Sequence, residues 1–365
     1  MSRLASRLHV LPRALAGGLS SRRPSQQPAR ILIVHHLLLG DTVMLTALLA
    51  RLRSRHPQAA IEMTVAPACL PLFATRPYGV TALAYDPHHP GLTRAVTRRK
   101  PYDLALVPGE NRYALLARAA GARWVVAFER DTPGWKNRVA DQLVAWPQQP
   151  SNLADMFASL AGSGDEVFEP AAWPAPPCTA FDLPPPPYAV LHVGAGSPLR
   201  LWPSGRWLAL ATHLQALGLT AVWSAGPGET GLIANIDPTQ RFASLAGRLD
   251  LPQMWHLLAH AGLLVAPDSG ISHLAKLTGT PTACLFGPGS DVLFGASRFW
   301  RNHPFEAVID ADFPCRDQTT VFKRPLPWVR RCQRGTNACA ANACMQALDL
   351  ERVTAACERL LLRAG

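Results

Sequence analysis

The stretch LLVAPDSGISHLAKLTGTPTACLFGP, Leu263 to Pro288, sets an acid, a hydroxyl and a glycine between an apolar run and a helical pattern. The first amides of a helix lack intrahelical partners and lie at the positive end of its dipole, which suits them to an anion. Gly270 lets a phosphate approach the backbone, Ser269 adds a hydroxyl donor, and His273 follows one turn in. Asp268 also has an ordinary reading as the N-cap of that helix. Two further glycine-bearing turns follow apolar runs in the same half of the chain. Gly194-Ala195-Gly196 comes after YAVLHV and precedes Arg200, whose planar fork can grip phosphate oxygens bidentately. Gly226-Pro227-Gly228-Glu229 comes after TAVWSA, and Glu229 is placed to accept from ribose hydroxyls. Three such turns at strand ends converge on a nucleotide better than on three unrelated caps.

In the first half, Gly40-Asp41 follows ILIVHHLLL. Asp41 reads as a helix cap or, as the acid at the end of a first strand, as a general base within reach of an acceptor proton. His35 and His36 read as core or substrate-side polar groups rather than metal ligands. Late in the chain Cys315, Cys332, Cys339 and Cys344 share one basic segment, and four thiols have the donor chemistry for a structural zinc or iron ion. Their spacings of 17, 7 and 5 include no Cys-x-x-Cys pair, so reduced structural thiols are the simpler reading and a catalytic metal is not implied. Cys69, Cys178 and Cys284 stand among apolar neighbours and read as small buried side chains.

The elements that must position these residues alternate. RILIVHH, AIEMTVAP, YDLALVPG and ARWVVAFE read as strands, LLLGD as a turn, and TVMLTALLARLRSRHP as an amphipathic helix. A proline-rich stretch ending in Pro184 to Pro187 reads as a stiff linker over 176–187. Strand and helix patterns then restart. The expected organisation is a basic arm over 1–29, a Rossmann-like domain over 30–175, the linker, a second Rossmann-like domain over 188–348 carrying the cysteine segment 315–344, and a final helix over 349–365. The fold class is α/β, two doubly wound domains facing a central cleft.

With 365 residues, 48% of them apolar, the chain has material for two cores. No apolar run reaches the ~20 residues of a membrane-spanning helix. The net charge of +11 is uneven. Residues 1–30 hold Arg3, Arg7, Arg13, Arg22, Arg23 and Arg30 without an acid, and Arg316, Lys323, Arg324, Arg330, Arg331 and Arg334 cluster near the end. Such clusters suit phosphate-rich partners, and the arm reads as mobile or weakly amphipathic at an anionic membrane surface.

The blocks ILIVHHLLLGDTVMLTALLARLRSRHP, LHVGAGSPLRLWPSGRWLALATHL, SLAGRLDLPQMWHLLAHAGLLVAPDSGISHLAKLTGTPTACLFGP and CMQALDLERV resemble glycosyltransferase family 9, the ADP-heptose:lipopolysaccharide heptosyltransferases, in the family's order from about Arg30 onward. The resemblance implies a GT-B fold and metal-independent, inverting transfer of heptose from ADP-heptose to a lipopolysaccharide inner core. It implies a cytoplasmic enzyme, peripheral at the inner face of a bacterial membrane. Asp41 matches the catalytic base. Gly40, Gly194, Arg200, Glu229, Asp268, Ser269, Gly270 and His273 fall to the donor, and Arg112, Arg123, Lys136 and Arg138 to acceptor anions in the first domain. At Arg200 the chain departs from the family, which usually has lysine before Trp-Pro. A heptosyltransferase with a protein acceptor is the near alternative. A Rossmann oxidoreductase would need Gly-x-Gly-x-x-Gly, which GAGSPL does not supply, and a nucleic-acid binder would need a stacking platform of interleaved aromatics, whereas the positive residues here cluster at the arm and tail.

Overall fold

The computed structural model describes residues 3–16, 23–339 and 341–364, which divide into two units with the same strand order. In the first, β1 (Arg30–Ile33), β2 (Ala60–Val65), β3 (Thr81–Ala84), β4 (Leu104–Val107), β5 (Trp124–Phe128) and β6 (Gln142–Val144) pair as β3-β2-β1-β4-β5-β6. In the second, β7 (Tyr188–His192), β8 (Thr220–Ser224), β9 (Ala243–Ser244), β10 (Leu263–Pro267), β11 (Thr282–Phe286) and β12 (Phe305–Ile309) pair as β12-β11-β10-β7-β8-β9. All these pairings are parallel. Each sheet reverses its direction of growth beside its first strand, between β1 and β4 and between β7 and β10. Loops leaving the C-terminal ends of such a strand pair part, and the crevice between them is where open α/β sheets hold ligands.

Strands covered on both faces must be apolar along their whole length, and β7, β10 and β11 are buried at every position. Trp202, Trp207 and Trp223 anchor the core of the second unit, and the fully buried Trp223 indole N–H donates to Asp237 Oδ2 at 3.0 Å. Truncating an indole of this kind to alanine costs about 3–5 kcal/mol. The first unit packs Leu32, Val34, Tyr102, Val107, Tyr113, Leu116 and Val125 into one cluster.

Several boundaries differ from those read in the sequence. The helix expected from Thr42 onward begins at Leu39 and breaks at Leu45, giving Leu39–Met44 and Thr46–Arg55. LLLGD is therefore not a turn, and Asp41 occupies the third helical position, where the dipole favours its negative charge. Of the arm expected to be mobile, residues 1–2 and 17–22 lie outside the described residues, but Arg3–Ala16 is a helix packed on helices Pro90–Thr97 and Ala114–Ala119. Ser6 and Ala14 are buried on its docked side, and His9 Nε2 meets Thr97 Oγ1 at 2.8 Å. A repeat of small and apolar residues three to four apart is enough to seat it. Cys178, read as buried, is exposed within the proline-rich stretch, whereas Cys69 and Cys284 are buried.

The first unit also claims a piece of distant sequence. Thr320–Pro327 packs within it as a hairpin of β13 (Thr320–Val321) and β14 (Arg324–Pro325), although these residues fall inside the range expected for the second domain. Arg324 explains why. Its fully buried guanidinium donates to the carbonyls of Glu129 at 2.7 Å, Gly109 at 3.2 Å, Phe322 at 3.1 Å and Phe128 at 3.4 Å, and to Asn111 Oδ1 at 2.8 Å. Asp131 Oδ2 stands 3.8 Å away, and burial lowers the Arg324 pKa to about 10.

Candidate functional site

Helix Gly270–Thr278 starts directly at the end of β10 and stops at Gly279, whose φ of +76° suits glycine. Its N-cap is Ser269 rather than Asp268, and neither side chain caps it. Ser272 does the local work instead, donating its hydroxyl to the Ser269 carbonyl at 2.8 Å and accepting from the Ser269 amide at 3.4 Å. Three buried polar atoms at this helix start, Asp268 Oδ2, Ser269 Oγ and His273 Nδ1, have no hydrogen-bond partner in the protein. Buried polar atoms are almost always paired, and here three without a protein partner gather around one turn.

Arg200, from the loop after β7, donates through Nη1 to the Asp268 carbonyl at 2.7 Å and stands 3.6 Å from its carboxylate. Burial raises the Asp268 pKa against the pull of Arg200, Lys276 and Arg331. The His273 ring lies 3.9 Å from Asp268 Oδ1 and is buried, which holds its pKa well below the ordinary 6.5 and keeps the ring neutral near pH 7. Gly289, on the loop after β11, passes so close that a Cβ there would sit 2.4 Å from Asp268 Oδ2. Lys276, one turn beyond His273, fastens this helix by donating to the carbonyls of Phe294 at 2.9 Å and Gly295 at 2.7 Å.

Glu229 turns inward. Its carboxylate accepts from the Gly226 amide at 2.9 Å and from the Ala195 amide at 2.8 Å, tying the loop after β8 to the loop after β7. Glycine at 194 leaves room for this carboxylate, because a Cβ would fall 2.0 Å from Glu229 Oε2 and displace it. The structure thus brings Gly194, Arg200, Glu229, Asp268, Ser269, Gly270 and His273 to the β7, β8 and β10 ends of one sheet. Gly289 and Ser272 join them. Nothing in the local sequence flagged either, since a glycine earns its place at 289 through a neighbour that is distant in the chain.

In the first unit Gly40 and Asp41 lie in helix Leu39–Met44 after β1, with Asp41 partly exposed. His35, behind them, is fully buried and its pKa falls to about 3, so it is a neutral core group; its Nδ1 accepts from the Leu37 amide at 3.2 Å. Beyond β4 and β5 opens a cavity of about 480 Å³ lined by Arg3, Arg7, Arg112, Lys136 and Lys323 over an aromatic wall that includes Tyr85, Tyr113 and Trp135. Arg112 stacks 5.0 Å over Tyr113, reaches Glu110 at 3.1 Å, and leaves its buried Nε without a partner. Lys323 enters from the β13–β14 hairpin and meets Glu110 Oε2 at 3.0 Å. Phe322 and Lys323 both have positive φ, 45° and 65°, a conformation that costs a non-glycine residue about 1–2 kcal/mol. The hairpin holds its lysine at the cavity against that strain.

The other acceptor candidates fare differently. Lys136 lines the cavity, but its ammonium is buried and engaged by the Thr132 carbonyl at 2.6 Å and Asp131 at 3.3 Å. Arg123 precedes β5 at the N-terminal edge of the sheet, the wrong end, and pairs with Asp103 at 3.6 Å. Arg138 is exposed outside the cavity lining. The late basic cluster is largely structural. Arg316 is buried on the carbonyls of Gly287 and Asp310, Arg324 holds the hairpin, and Arg334 pairs with Asp317 at 2.6 Å.

Cys315, Cys332, Cys339 and Cys344 are all unbridged. Cys315 and Cys332 lie near enough to Cys344 to help raise its pKa, while Arg334 Nη1 contacts Cys332 Sγ at 3.6 Å. Among the described residues no three His, Cys, Asp or Glu side chains are placed to hold a metal ion.

Two Rossmann-type units of six parallel strands, the second carrying a turn of unpartnered polar atoms at its switch point, make up a glycosyltransferase of the GT-B class. The chain belongs to glycosyltransferase family 9 (heptosyltransferase), whose profile matches residues 92–303. It is 24% identical over 313 residues to lipopolysaccharide heptosyltransferase 3 of Escherichia coli, across 76% of this chain and 89% of that one. Its fold is similar to the glycosyl transferase family 9 structure from Veillonella parvula DSM 2008, with a TM-score of 0.69 and 16% identity over 94% of this chain and 100% of the other. It is also similar to the structure of E. coli ADP-heptose lps heptosyltransferase II, with a TM-score of 0.68 and 20% identity over 92% and 99%. The family read from the sequence blocks and the α/β fold class both hold.

Proposed function

We propose that the chain transfers heptose from ADP-heptose to a lipopolysaccharide inner-core acceptor, with inversion at the anomeric carbon. The observation that carries this reading is the orphaned trio Asp268 Oδ2, Ser269 Oγ and His273 Nδ1 at one helix start beside Arg200. The names of its relatives support the sugar and the acceptor.

Asp41 takes the proton from an acceptor hydroxyl while that oxygen attacks the anomeric carbon. The bond from that carbon to the diphosphate breaks, and its electron pair leaves with ADP. Arg200 and the amide of Gly270 meet the developing charge, where fixed donors act without reorganising. Asp268, itself an acceptor, pairs with a hydroxyl of the donor sugar rather than with phosphate, since like charges repel. Glu229 keeps lone pairs beyond the two held by amides, and these receive the ribose hydroxyls. Gly40 allows close approach beside Asp41. Arg112 and Lys323, with Arg3 and Arg7, take a phosphate or carboxylate of the acceptor in the first unit's cavity. No metal is required, because the guanidinium and amides neutralise the leaving group. The reaction belongs at the cytoplasmic face of a membrane; among the described residues no helix is long and apolar enough to cross one.

Incubation with ADP-heptose and a heptose-free core saccharide tests the reading. It predicts ADP release and a product whose anomeric configuration, read by NMR coupling, is opposite to that of the donor. Retention, or transfer from another nucleotide sugar in preference to ADP-heptose, contradicts it.

A further inference from the structure

The helix Arg3–Ala16 docks by one face and leaves another uncovered. Leu4, Leu8, Leu11 and Leu15 recur at helical spacing, and they are 60%, 64%, 44% and 74% exposed. A 14-residue helix seated on a globular unit has no need to show water four leucines in a row, and a contiguous apolar stripe of this kind marks a surface that meets something. What it meets is constrained by the charges beside it. Arg3 and Arg7 flank the stripe on the side that lines the cavity, and both are exposed. Further round the helix, about His9, gather Arg13 and, from the neighbouring helix Pro90–Thr97 and its end, Arg94 and Arg98, all exposed. These three lie close enough to His9 to depress its pKa. Neither residues 3–16 nor residues 90–100 contain an acid. On the cavity side Glu110 is in the lining, and Asp86 falls in sequence between the lining residues Tyr85 and Pro87. A second copy of the chain would bring the same arginines against one another, whereas an anionic lipid surface neutralises them and takes up the leucines.

We propose that the leucine stripe of helix Arg3–Ala16, bordered by Arg3 and Arg7 and set in a basic surface that includes Arg13, Arg94 and Arg98, is the surface on which this chain docks to an anionic lipid bilayer. The helix lies in the interface plane, its leucines entering the boundary between headgroups and acyl chains and its arginines pairing with lipid phosphates. Because Arg3 and Arg7 belong to both the rim and the cavity wall, docking sets the cavity beside the headgroup layer. The purpose of that arrangement rests on the glycolipid reading of the acceptor; the docking itself does not, and it is measured without any sugar.

The test is co-sedimentation of the full chain with vesicles of phosphatidylcholine plus phosphatidylglycerol, against vesicles of phosphatidylcholine alone. The proposal predicts binding to the anionic vesicles that falls with added salt and little binding to the neutral ones. The combined variant Leu4→Ser, Leu8→Ser and Leu15→Ser changes only exposed side chains outside the cavity lining. It should weaken binding by roughly tenfold or more, with circular dichroism and turnover on a tail-free soluble acceptor unchanged. The pair Arg94→Gln and Arg98→Gln should flatten the salt dependence. Failure of the intact chain to bind anionic vesicles overturns the proposal, as does equal binding by the leucine variant. Self-association of the intact chain that the leucine variant abolishes, with no vesicle binding by either, assigns the stripe to a second copy. If neither protein turns over the soluble acceptor, the heptose-transfer reading fails while the vesicle result still decides the surface.

Discussion

Arg200 and Asp268 meet twice, Nη1 donating to the Asp268 carbonyl at 2.7 Å and standing 3.6 Å from its carboxylate. The loop after β7 is thereby fixed to the helix start after β10, the two sides of the second sheet's switch point. One guanidinium edge is engaged by the protein, and the pairing turns Arg200 toward the orphaned polar atoms of Asp268, Ser269 and His273.

Gly194→Ala should disturb this arrangement through Glu229. The added methyl would sit 2.0 Å from Glu229 Oε2, so the carboxylate must leave the Ala195 and Gly226 amides. The expected loss is about 1–3 kcal/mol of stability, the usual cost of overpacking, together with weaker nucleotide binding. Gly196→Ala, where nothing lies within 4 Å, should change little. Urea denaturation and nucleotide titration of both variants check this.

Asp268 carries a raised pKa through burial, so its folded value exceeds the ordinary 3.8. The sign follows: the ligand-free protein has the full stability of this site at or below pH 3.8 and loses it as pH rises through the folded value. Asp268→Asn should therefore be more stable than the parent at pH 7 without nucleotide, and it should transfer sugar poorly. Thermal melts across pH, paired with turnover, measure both halves.

The buried histidines act in the opposite direction. Burial lowers His35 to about 3, His192 to about 4 and His303 to about 3, and holds His273 well below 6.5. A depressed folded pKa gives stability that is complete above pH 6.5 and lost as pH falls toward the folded value, by up to roughly 1.4 kcal/mol per pH unit for each histidine. Unfolding free energy should drop steeply between pH 6.5 and 4. Replacing His192 by Asn, which can still bond the Ser224 hydroxyl now 3.0 Å from the ring, should shallow that slope.

Arg324→Met should destabilise the first unit by about 3–5 kcal/mol, because it strips partners from Asp131 and from the carbonyls the guanidinium satisfies. Lysine should not rescue it, since a single ammonium cannot reach all the acceptors that the planar fork serves. Guanidinium denaturation distinguishes the two variants from the parent.

Much of this was legible in the sequence. A strand buried on both faces must be apolar throughout, so LLVAP and TACLF announced themselves, and the turns that follow had to carry glycine and polar groups. What stayed hidden depends on contacts between distant residues. Arg324 sits in a basic run and looks like a solvated charge until the carbonyls of Gly109, Phe128 and Glu129 surround it. Asp268 looked equally good as a cap, and only the folded backbone shows Ser269 in the N-cap place and Ser272 doing the bonding. Gly40-Asp41 was misread as a turn because glycine is a poor helix former, yet it lies in the first helical turn, where its amide needs no intrahelical partner. Arg123 carries the right charge at the wrong end of its strand, a distinction that charge patterning alone does not make.

The central claim is that the Asp268–Gly270 turn and Arg200 hold the diphosphate of an ADP-linked donor. Calorimetric titration with ADP, UDP and GDP, for the parent and for Arg200→Ala, tests it most directly. The account predicts a clear preference for ADP and a loss of about 10- to 100-fold in ADP affinity on removing the guanidinium, the usual worth of a charge-assisted hydrogen bond. Equal binding of ADP by the parent and by Arg200→Ala, or a preference for UDP or GDP, would contradict it.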